Sequence, residues 1–129
     1  MPAIKLFAPE SYQLALINDP DYVDQICNGC GTSGWKGKIV PETMWGLNVT
    51  AACQIHDWMY YHGKSEEDRV EADRVFLNNL IRIINAHGGW LAWLRRYRAT
   101  TYYNAVREFG AVPFWQGKNR PEDEMHYEV

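Results

Sequence analysis

The most informative stretch of the sequence runs from Ala52 to Tyr60 and reads ACQIHDWMY. It places a thiol, an imidazole, a carboxylate and a phenol within two turns of one predicted helix. At about 3.6 residues per turn, Cys53, His56 and Tyr60 project toward one side of that helix. Asp57 points about 100° further around. The helix therefore offers polar groups in two directions, which could serve two neighbouring tasks.

Capping residues give the bounds of this helix and of the next one. Asn48 or Thr50 can cap the start of the first helix, and Gly63 is in the usual terminating position. Ser65 begins a second predicted helix, because acidic residues follow it in the first turn. That helix ends at Gly88. A connection of only two or three residues favours antiparallel packing of the two helices.

The rest of the chain is also predicted to be helical. A third helix is expected over residues 90–109 and two short helices within residues 9–26, whereas residues 38–47 show no clear periodicity. A chain of 129 residues fits one domain, and the polar end, residues 118–129, is expected to be flexible. The fold class predicted is a small all-α domain with an antiparallel helix pair preceded by a glycine-rich metal-binding loop.

Composition excludes several classes of function. A net charge of -3 argues against a general nucleic-acid binder, since such proteins carry clustered Lys and Arg. No apolar run reaches the roughly 20 residues that span a bilayer, so we expect a soluble or peripheral protein without a transmembrane segment. The start of the chain lacks the pattern of a secretory signal, which leaves localisation open. Oligomeric state is open as well.

Arginines and tryptophans in the second half of the chain have two possible roles. The run Arg95, Arg96 and Arg98 is expected to be a solvated helix face, with contact to anionic lipid headgroups as the alternative. Four tryptophans are candidates for meeting a membrane, although core packing is the expected role of each: Trp58, Trp90, Trp93 and Trp115. Core packing is likewise expected for three aromatic residues of the third helix: Tyr102, Tyr103 and Phe109.

An acidic residue interrupts the apolar face of the second helix. Asp73 occupies one position of the series 70, 73, 77, 80, 84, which is the inward stripe of an amphipathic helix. Burying an unpaired charge costs several kcal/mol, so Asp73 should find donors. His56 and Tyr60 of the preceding helix are the candidates. A carboxylate that holds one ring nitrogen of a histidine orients the other one, as in general-base catalysis.

A glycine-rich segment, residues 27–37, precedes these helices and reads CNGCGTSGWKG. Its backbone can turn peptide groups toward a ligand, because glycine adopts positive φ without strain. Loop carbonyls together with the Asp57 carboxylate are the hard oxygen ligands that Ca²⁺ prefers. A calcium site between loop and helix is therefore one prediction.

The cysteines allow a different metal. The pattern C-x2-C followed by C-x2-H is a plausible structural Zn²⁺ set of four residues: Cys27, Cys30, Cys53 and His56. Such a zinc-stabilised binding module would leave the carboxylates and phenol of the helix pair without a role. A redox pair in CNGC is weaker, because no βαβ pattern surrounds it. The residues alone leave calcium and zinc as alternatives.

The helix motif resembles that of the phospholipase A2 superfamily, which has the form C-C-x-x-H-D. Here it reads ACQIHD from Ala52 to Asp57, so that only the first cysteine is missing. Tyr60 completes the H-D-x-x-Y pattern of the compact bacterial and viral members. The family's calcium loop, Y-x-C-G-x-G-G, is similar to residues 29–34, where Ser33 replaces a usual glycine.

The resemblance implies a calcium-dependent hydrolase that cleaves the sn-2 ester of glycerophospholipids at a membrane surface or micelle, and thus a role in lipid degradation. It implies that His56 is the general base, that Asp73 orients it and that Tyr60 donates to Asp73. The calcium ligands that it implies are one carboxylate and three backbone carbonyls: Asp57, Gly29, Gly31 and Ser33. The disulfide that it implies joins two cysteines: Cys30 and Cys53. A domain with the phospholipase shape but no activity is a further alternative.

Overall fold

A computed structural model describes residues 4–27, 43–118 and 120 of the chain. Within these ranges the protein is mainly helical, which confirms the predicted all-α class. Its elements in chain order are α1 (Glu10–Asn18), α2 (Pro20–Ile26), β1 (Thr43–Met44), β2 (Leu47–Asn48), α3 (Thr50–His62), α4 (Glu66–His87), α5 (Ala92–Phe109) and α6 (Ala111–Trp115). The two short helices, the central pair and the third long helix all fall where the sequence predicts them.

Local side-chain hydrogen bonds and a glycine mark the start of α3 and both ends of α4. The Asn48 side chain accepts a hydrogen bond from the Thr50 amide at 2.8 Å, at the start of α3. Ser65 accepts from the Asp68 amide at 3.1 Å, which satisfies one of the free N–H groups at the start of α4. Gly88 ends α4 with a φ of 67°, a conformation that favours glycine.

Helices α3 and α4 pack against each other and run antiparallel. Tyr60, near the end of α3, contacts Asp73 in the first half of α4. His56, one turn earlier on α3, reaches Phe76, about one turn later on α4. A residue nearer the start of α3 thus contacts a residue further along α4, so the two helices run in opposite directions. The short connection around residues 63–65 predicts this arrangement, and the contacts confirm it.

The main core lies between α3, α4 and α5. Buried side chains of α4 form its centre, and four residues of α5 cover them: Ala92, Ala99, Tyr102 and Val106. Within this packing, the side chains of His56 and Asp73 have 0% exposed surface. A second cluster joins the N-terminal helices to α3 through Tyr12, Val23 and Trp58.

The inward stripe of α4 differs from its prediction at one end. Val70 is 45% exposed, so it does not belong to the buried face. Arg69 occupies that place instead and is only 7% exposed. The stripe continues through Asp73, which is fully buried, and Leu80, as predicted. An arginine can replace the apolar residue because its charge meets a buried carboxylate.

The connection before α3 contains a small hairpin that the sequence does not predict. Met44 pairs with Leu47, and the two residues between them, Trp45 and Gly46, both have positive φ, 49° and 84°. This is the backbone of a tight hairpin turn, for which Asn-Gly is the usual signal and Trp-Gly is not. The hairpin is held by Arg95 of α5, whose Nε donates to the Met44 carbonyl at 2.9 Å.

Arg95 therefore corrects the expectation of a solvated arginine face. It is 5% exposed, because its guanidinium satisfies hairpin carbonyls. Arg96 and Arg98 are exposed as expected. Among the tryptophans, Trp90 and Trp93 are also exposed, so that the expectation of core packing is wrong for these two.

The remaining aromatic residues also include both buried and exposed side chains. Trp58 and Trp115 are buried, as expected. On α5 the expectation of core packing is confirmed for Tyr102, which is buried, whereas Tyr103 is half-buried. It is wrong for Phe109, which is 57% exposed.

The chain continues beyond α5 into a further helix, α6, that the sequence does not predict. Pro113 is its third residue, where a missing N–H costs nothing because the first amides of a helix have no partner within it. Lys118, the first residue of the expected flexible tail, donates to the Gly63 carbonyl at 2.7 Å. Most of that tail lies outside the described residues. No described helix has both the length and the apolar character needed to cross a bilayer.

Candidate active site

The candidate site is centred on the Asp73 carboxylate, in the middle of the packed helices. Asp73 is fully buried on α4. Its Oδ1 lies 2.7 Å from Nε2 of His56 and accepts a hydrogen bond from the Tyr60 hydroxyl, also at 2.7 Å. Both donors come from α3, where they are one turn apart. The contacts predicted from the sequence between these three residues are confirmed.

The second oxygen of Asp73 meets two arginines. Nη1 of Arg107, on α5, donates to Oδ2 at 2.7 Å, and Nη1 of Arg69 lies 3.8 Å from the same atom. Arg107 is only 28% exposed at its side chain. Sequence reasoning missed both arginines. The available signal is that Arg69 lies one turn before Asp73 on α4, whereas nothing local marks Arg107.

These neighbours keep Asp73 ionised. Burial by itself would raise the pKa of Asp73, but hydrogen bonds and the charge of His56, together with the bonds from Tyr60 and Arg107, hold it below its usual value. The pKa of Tyr60 is raised strongly by burial and by the negative charge of Asp73. Tyr60 therefore stays protonated and can serve as a donor.

The charge on Asp73 determines the tautomer of His56. An ionised carboxylate only accepts hydrogen bonds, so Nε2 of His56 carries a hydrogen, and in the neutral imidazole Nδ1 then carries the lone pair. The rings of Tyr60 and Phe76 lie 4.2 and 4.7 Å from the His56 ring, centroid to centroid, and limit its rotation. The arrangement can accept a proton at Nδ1 and stabilise the resulting imidazolium through Asp73.

The start of α6 holds Tyr60 in place. A Cβ atom on Gly110 would lie 2.3 Å from the Tyr60 hydroxyl oxygen, so only glycine allows this approach. The Phe114 ring meets the Tyr60 ring edge-on at 5.1 Å. Gly63 is limited in the same way, because its Cβ would lie 2.6 Å from Phe114. Gly63, which the sequence predicts as a helix terminator, and Gly110 therefore both permit close packing around the site.

A second row of contacts surrounds Arg69. Its Nε lies 3.2 Å from both carboxylate oxygens of Glu66, and Nη1 donates to the Arg107 carbonyl at 3.3 Å. Trp115 of α6 donates from its indole nitrogen to Glu66 at 2.8 Å. Arg69 on α4 thus contacts α5 directly and is linked to α6 through Glu66.

Asp57 is the one predicted calcium ligand that lies among the described residues. It is half-buried on α3, beside His56 in sequence, and its carboxylate is of the type that calcium binds. The other predicted ligands, Gly29, Gly31 and Ser33, lie outside the described residues. So does Cys30, and its disulfide with Cys53 stays a prediction.

The zinc alternative receives no support from the residues that the structure describes. Cys27 packs in the N-terminal cluster with Tyr12 and Val23, whereas Cys53 belongs to the main core. Across the described ranges, no three His, Cys, Asp or Glu side chains come together as a metal site. Three of the four zinc ligands in that alternative are described, and they do not form one group.

Two comparisons with known proteins found no match. The chain matches no protein-family model and no curated protein. The resemblance to phospholipase A2 therefore rests on the motif residues and on the side-chain arrangement that they form.

Proposed function

We propose that this protein is a calcium-dependent, phospholipase A2-like hydrolase that cleaves the sn-2 ester of glycerophospholipids in a membrane surface or micelle. The observation that carries the proposal is the buried arrangement of His56, Asp73 and Tyr60. It joins Nε2 of His56 to an ionised carboxylate, so that in the neutral imidazole Nδ1 is the basic nitrogen.

In the proposed mechanism, Nδ1 of His56 removes a proton from a water molecule as that water attacks the ester carbonyl carbon. The imidazolium that forms is stabilised by the negative charge of Asp73. His56 then returns the proton to the leaving alkoxide, so that a fatty acid and a lysophospholipid are released. Water is the nucleophile, and no serine or thiol is required.

Tyr60 and Arg107 act on Asp73 rather than on substrate. Each donates to a different oxygen of the carboxylate at 2.7 Å, which fixes its plane and aims Oδ1 at Nε2 of His56. They are positioning residues in this proposal. Their two donors also compensate for the burial of the carboxylate.

Asp57 and the backbone carbonyls of Gly29, Gly31 and Ser33 would hold the calcium ion. When bound, calcium supplies positive charge for the phosphate of the lipid and for the oxyanion that develops on the ester carbonyl. Asp57 is adjacent to His56 in sequence but on a different side of α3, so that one helix would present the base and a metal ligand in separate directions.

The direct test is release of fatty acid from phospholipid vesicles labelled in the sn-2 chain, with millimolar calcium. We expect release by the unaltered protein and a loss of about 10²-fold or more in His56→Ala, since general-base catalysis contributes about 10²- to 10⁴-fold. His87→Ala is the matched control, because His87 is exposed in the last turn of α4. It should retain full activity.

The same assay separates the alternatives. If release is absent, and is the same for the unaltered protein and His56→Ala, the protein is a phospholipase-like domain without activity. If metal analysis of the purified protein finds one tightly bound zinc per chain, with all three cysteines as ligands, the calcium proposal is wrong. Release of label from vesicles labelled in the sn-1 chain, and not from those labelled in the sn-2 chain, would refute the proposed regiochemistry alone.

A further inference from the structure

The outer side of α5 carries adjoining aromatic rings that the protein itself does not cover. Trp90, in the turn before α5, is 82% exposed, and Trp93 and Tyr97 are 65% and 72% exposed. Trp93 and Tyr97 are four positions apart and so lie on one side of α5, and Trp90 precedes Trp93 by three positions in the adjoining turn. Single exposed aromatic residues are ordinary, whereas an adjoining group of them marks an interaction site.

Two exposed arginines border these rings. Arg96 and Arg98 lie on the flanks of α5. The Arg98 guanidinium is 5.1 Å from the ring centroid of Trp45, which is itself 44% exposed at the tip of the hairpin. Six residues together form what we call the α5 surface: Trp45, Trp90, Trp93, Arg96, Tyr97 and Arg98.

The charge around this surface is opposite to that of the whole protein. The chain has a net charge of -3, yet residues 75–106 contain no aspartate or glutamate, and three of their arginines are exposed: Arg82, Arg96 and Arg98. Acidic residues are concentrated before and after that segment, including three in the first turn of α4. The α5 surface therefore lies in a cationic part of an acidic chain, and it complements an anionic partner.

We propose that the α5 surface docks the protein onto a bilayer that contains anionic phospholipids. Indole and phenol rings favour the headgroup region, because each has an apolar body and a polar group. Arginines beside them attract anionic lipid, and their guanidinium groups match phosphate geometry. The rings project from the outer side of a helix, so they can enter a soft bilayer without a complementary pocket in the partner.

This inference rests on the proposed function in one respect: it names the surface that brings the protein to a lipid substrate. The α5 surface itself is separate from the candidate active site. His87, at the end of α4 next to Trp90, lies fourteen positions after Asp73, which is about 21 Å along a helix. Changes to the α5 surface should therefore leave the site intact.

The test is co-sedimentation with sucrose-loaded vesicles, in a His56→Asn background so that the lipids stay intact. We expect binding to vesicles of phosphatidylcholine mixed with phosphatidylglycerol, and much weaker binding to pure phosphatidylcholine. Trp90→Ala with Trp93→Ala should raise the lipid concentration for half-maximal binding about tenfold or more, since two interfacial indoles are lost. Arg96→Gln and Arg98→Gln should each raise it about fivefold at low salt.

Matched control variants lie outside the α5 surface. Tyr61→Ala removes an aromatic ring that is 58% exposed on α3, and Arg74→Gln removes an exposed arginine that pairs with Glu71. Both should bind vesicles as the background protein does. Circular dichroism and thermal unfolding of every variant confirm that the fold is retained.

In the vesicle experiment the proposal is overturned by no binding to anionic vesicles, by equal binding to both vesicle types, or by equal effects of the surface variants and their controls. Dimers that the tryptophan variants abolish, seen by sedimentation velocity without lipid, would assign the surface to a second copy of the chain instead. Vesicle binding without any fatty acid release would refute the proposed hydrolysis and leave this inference standing. Hydrolysis that the surface variants do not change would refute this inference and leave the proposed hydrolysis standing.

Discussion

The interior around Asp73 and the outer side of α5 use the same kinds of residue in opposite ways. Around Asp73, arginine and aromatic side chains are buried and satisfy one carboxylate. On the α5 surface, arginine and aromatic side chains are exposed and face solvent. The difference lies in the partner: a buried carboxylate holds the first group in place, whereas nothing within the described chain covers the second.

Arginines of one helix illustrate this most directly. Arg95, Arg98 and Arg107 all belong to α5, but the first binds hairpin carbonyls, the second stacks on Trp45 and the third bonds to Asp73. Burial of an arginine is costly unless its charge and hydrogen bonds are satisfied. The contrast predicts that substitutions near Asp73 destabilise the protein, whereas the same substitutions on the outer side of α5 leave its stability unchanged.

The largest expected effect is that of Asp73→Asn. The amide keeps the shape of the carboxylate but lacks the negative charge that pairs with Arg69 and Arg107. Its NH₂ group would also face the donor groups that now bond to the carboxylate. We expect the free energy of unfolding to fall by about 3 kcal/mol, since breaking a buried ion pair costs about 3 to 5 kcal/mol. Urea denaturation followed by circular dichroism measures this.

Asp24→Asn is the control for that experiment, because Asp24 is an exposed acid on α2. Its free energy of unfolding should stay within about 0.5 kcal/mol of the original value. Equal losses in the two variants would show that the buried carboxylate contributes nothing special, and the contrast between the two regions would fail.

A smaller effect is expected from acid, through the pKa of Asp73. The folded-state pKa lies below 3.8, so ionised Asp73 contributes stability at any pH above that value. This contribution is lost as the pH falls through the folded pKa. The difference in unfolding free energy between the original protein and Asp73→Asn should therefore be constant near neutral pH and shrink below about pH 4. A difference that stays the same, measured by urea denaturation from pH 7 down to pH 3, would contradict the pairing.

Most of the fold follows from local sequence signals. Ser65, Gly63 and Gly88 mark the ends of α3 and α4, because caps and glycines act within a few residues. The short connection between these helices makes them antiparallel. The hairpin around Trp45 and the final helix α6 were not predictable, since the first depends on Arg95 some 50 positions away. The second contains a proline, which is compatible with a helix only in its first turn.

The candidate site is also predictable only in part, because some of its contacts join residues that are far apart in the sequence. Asp73 is detectable because a carboxylate interrupts an apolar stripe, and His56 and Tyr60 are detectable because they share a face of the preceding helix. Arg107 lies 34 positions from Asp73 and belongs to a helix whose crossing over α4 no local pattern specifies. Nor does the sequence distinguish the buried Trp58 from the exposed Trp93, because burial depends on which helix face a neighbour covers.

The smallest expected effects compare two arginines of α5. Arg107→Gln removes a charged hydrogen bond to Asp73, and we expect a loss of about 1 to 2 kcal/mol in unfolding free energy, reduced because Arg107 is partly exposed. Arg98→Gln should change it by less than about 0.5 kcal/mol. Arg107→Gln should also weaken the downfield proton resonance of the His56–Asp73 hydrogen bond in NMR spectra, and Arg98→Gln should not. If the two variants behave alike in both measurements, the buried and exposed arginines do not differ in the way that their contacts predict.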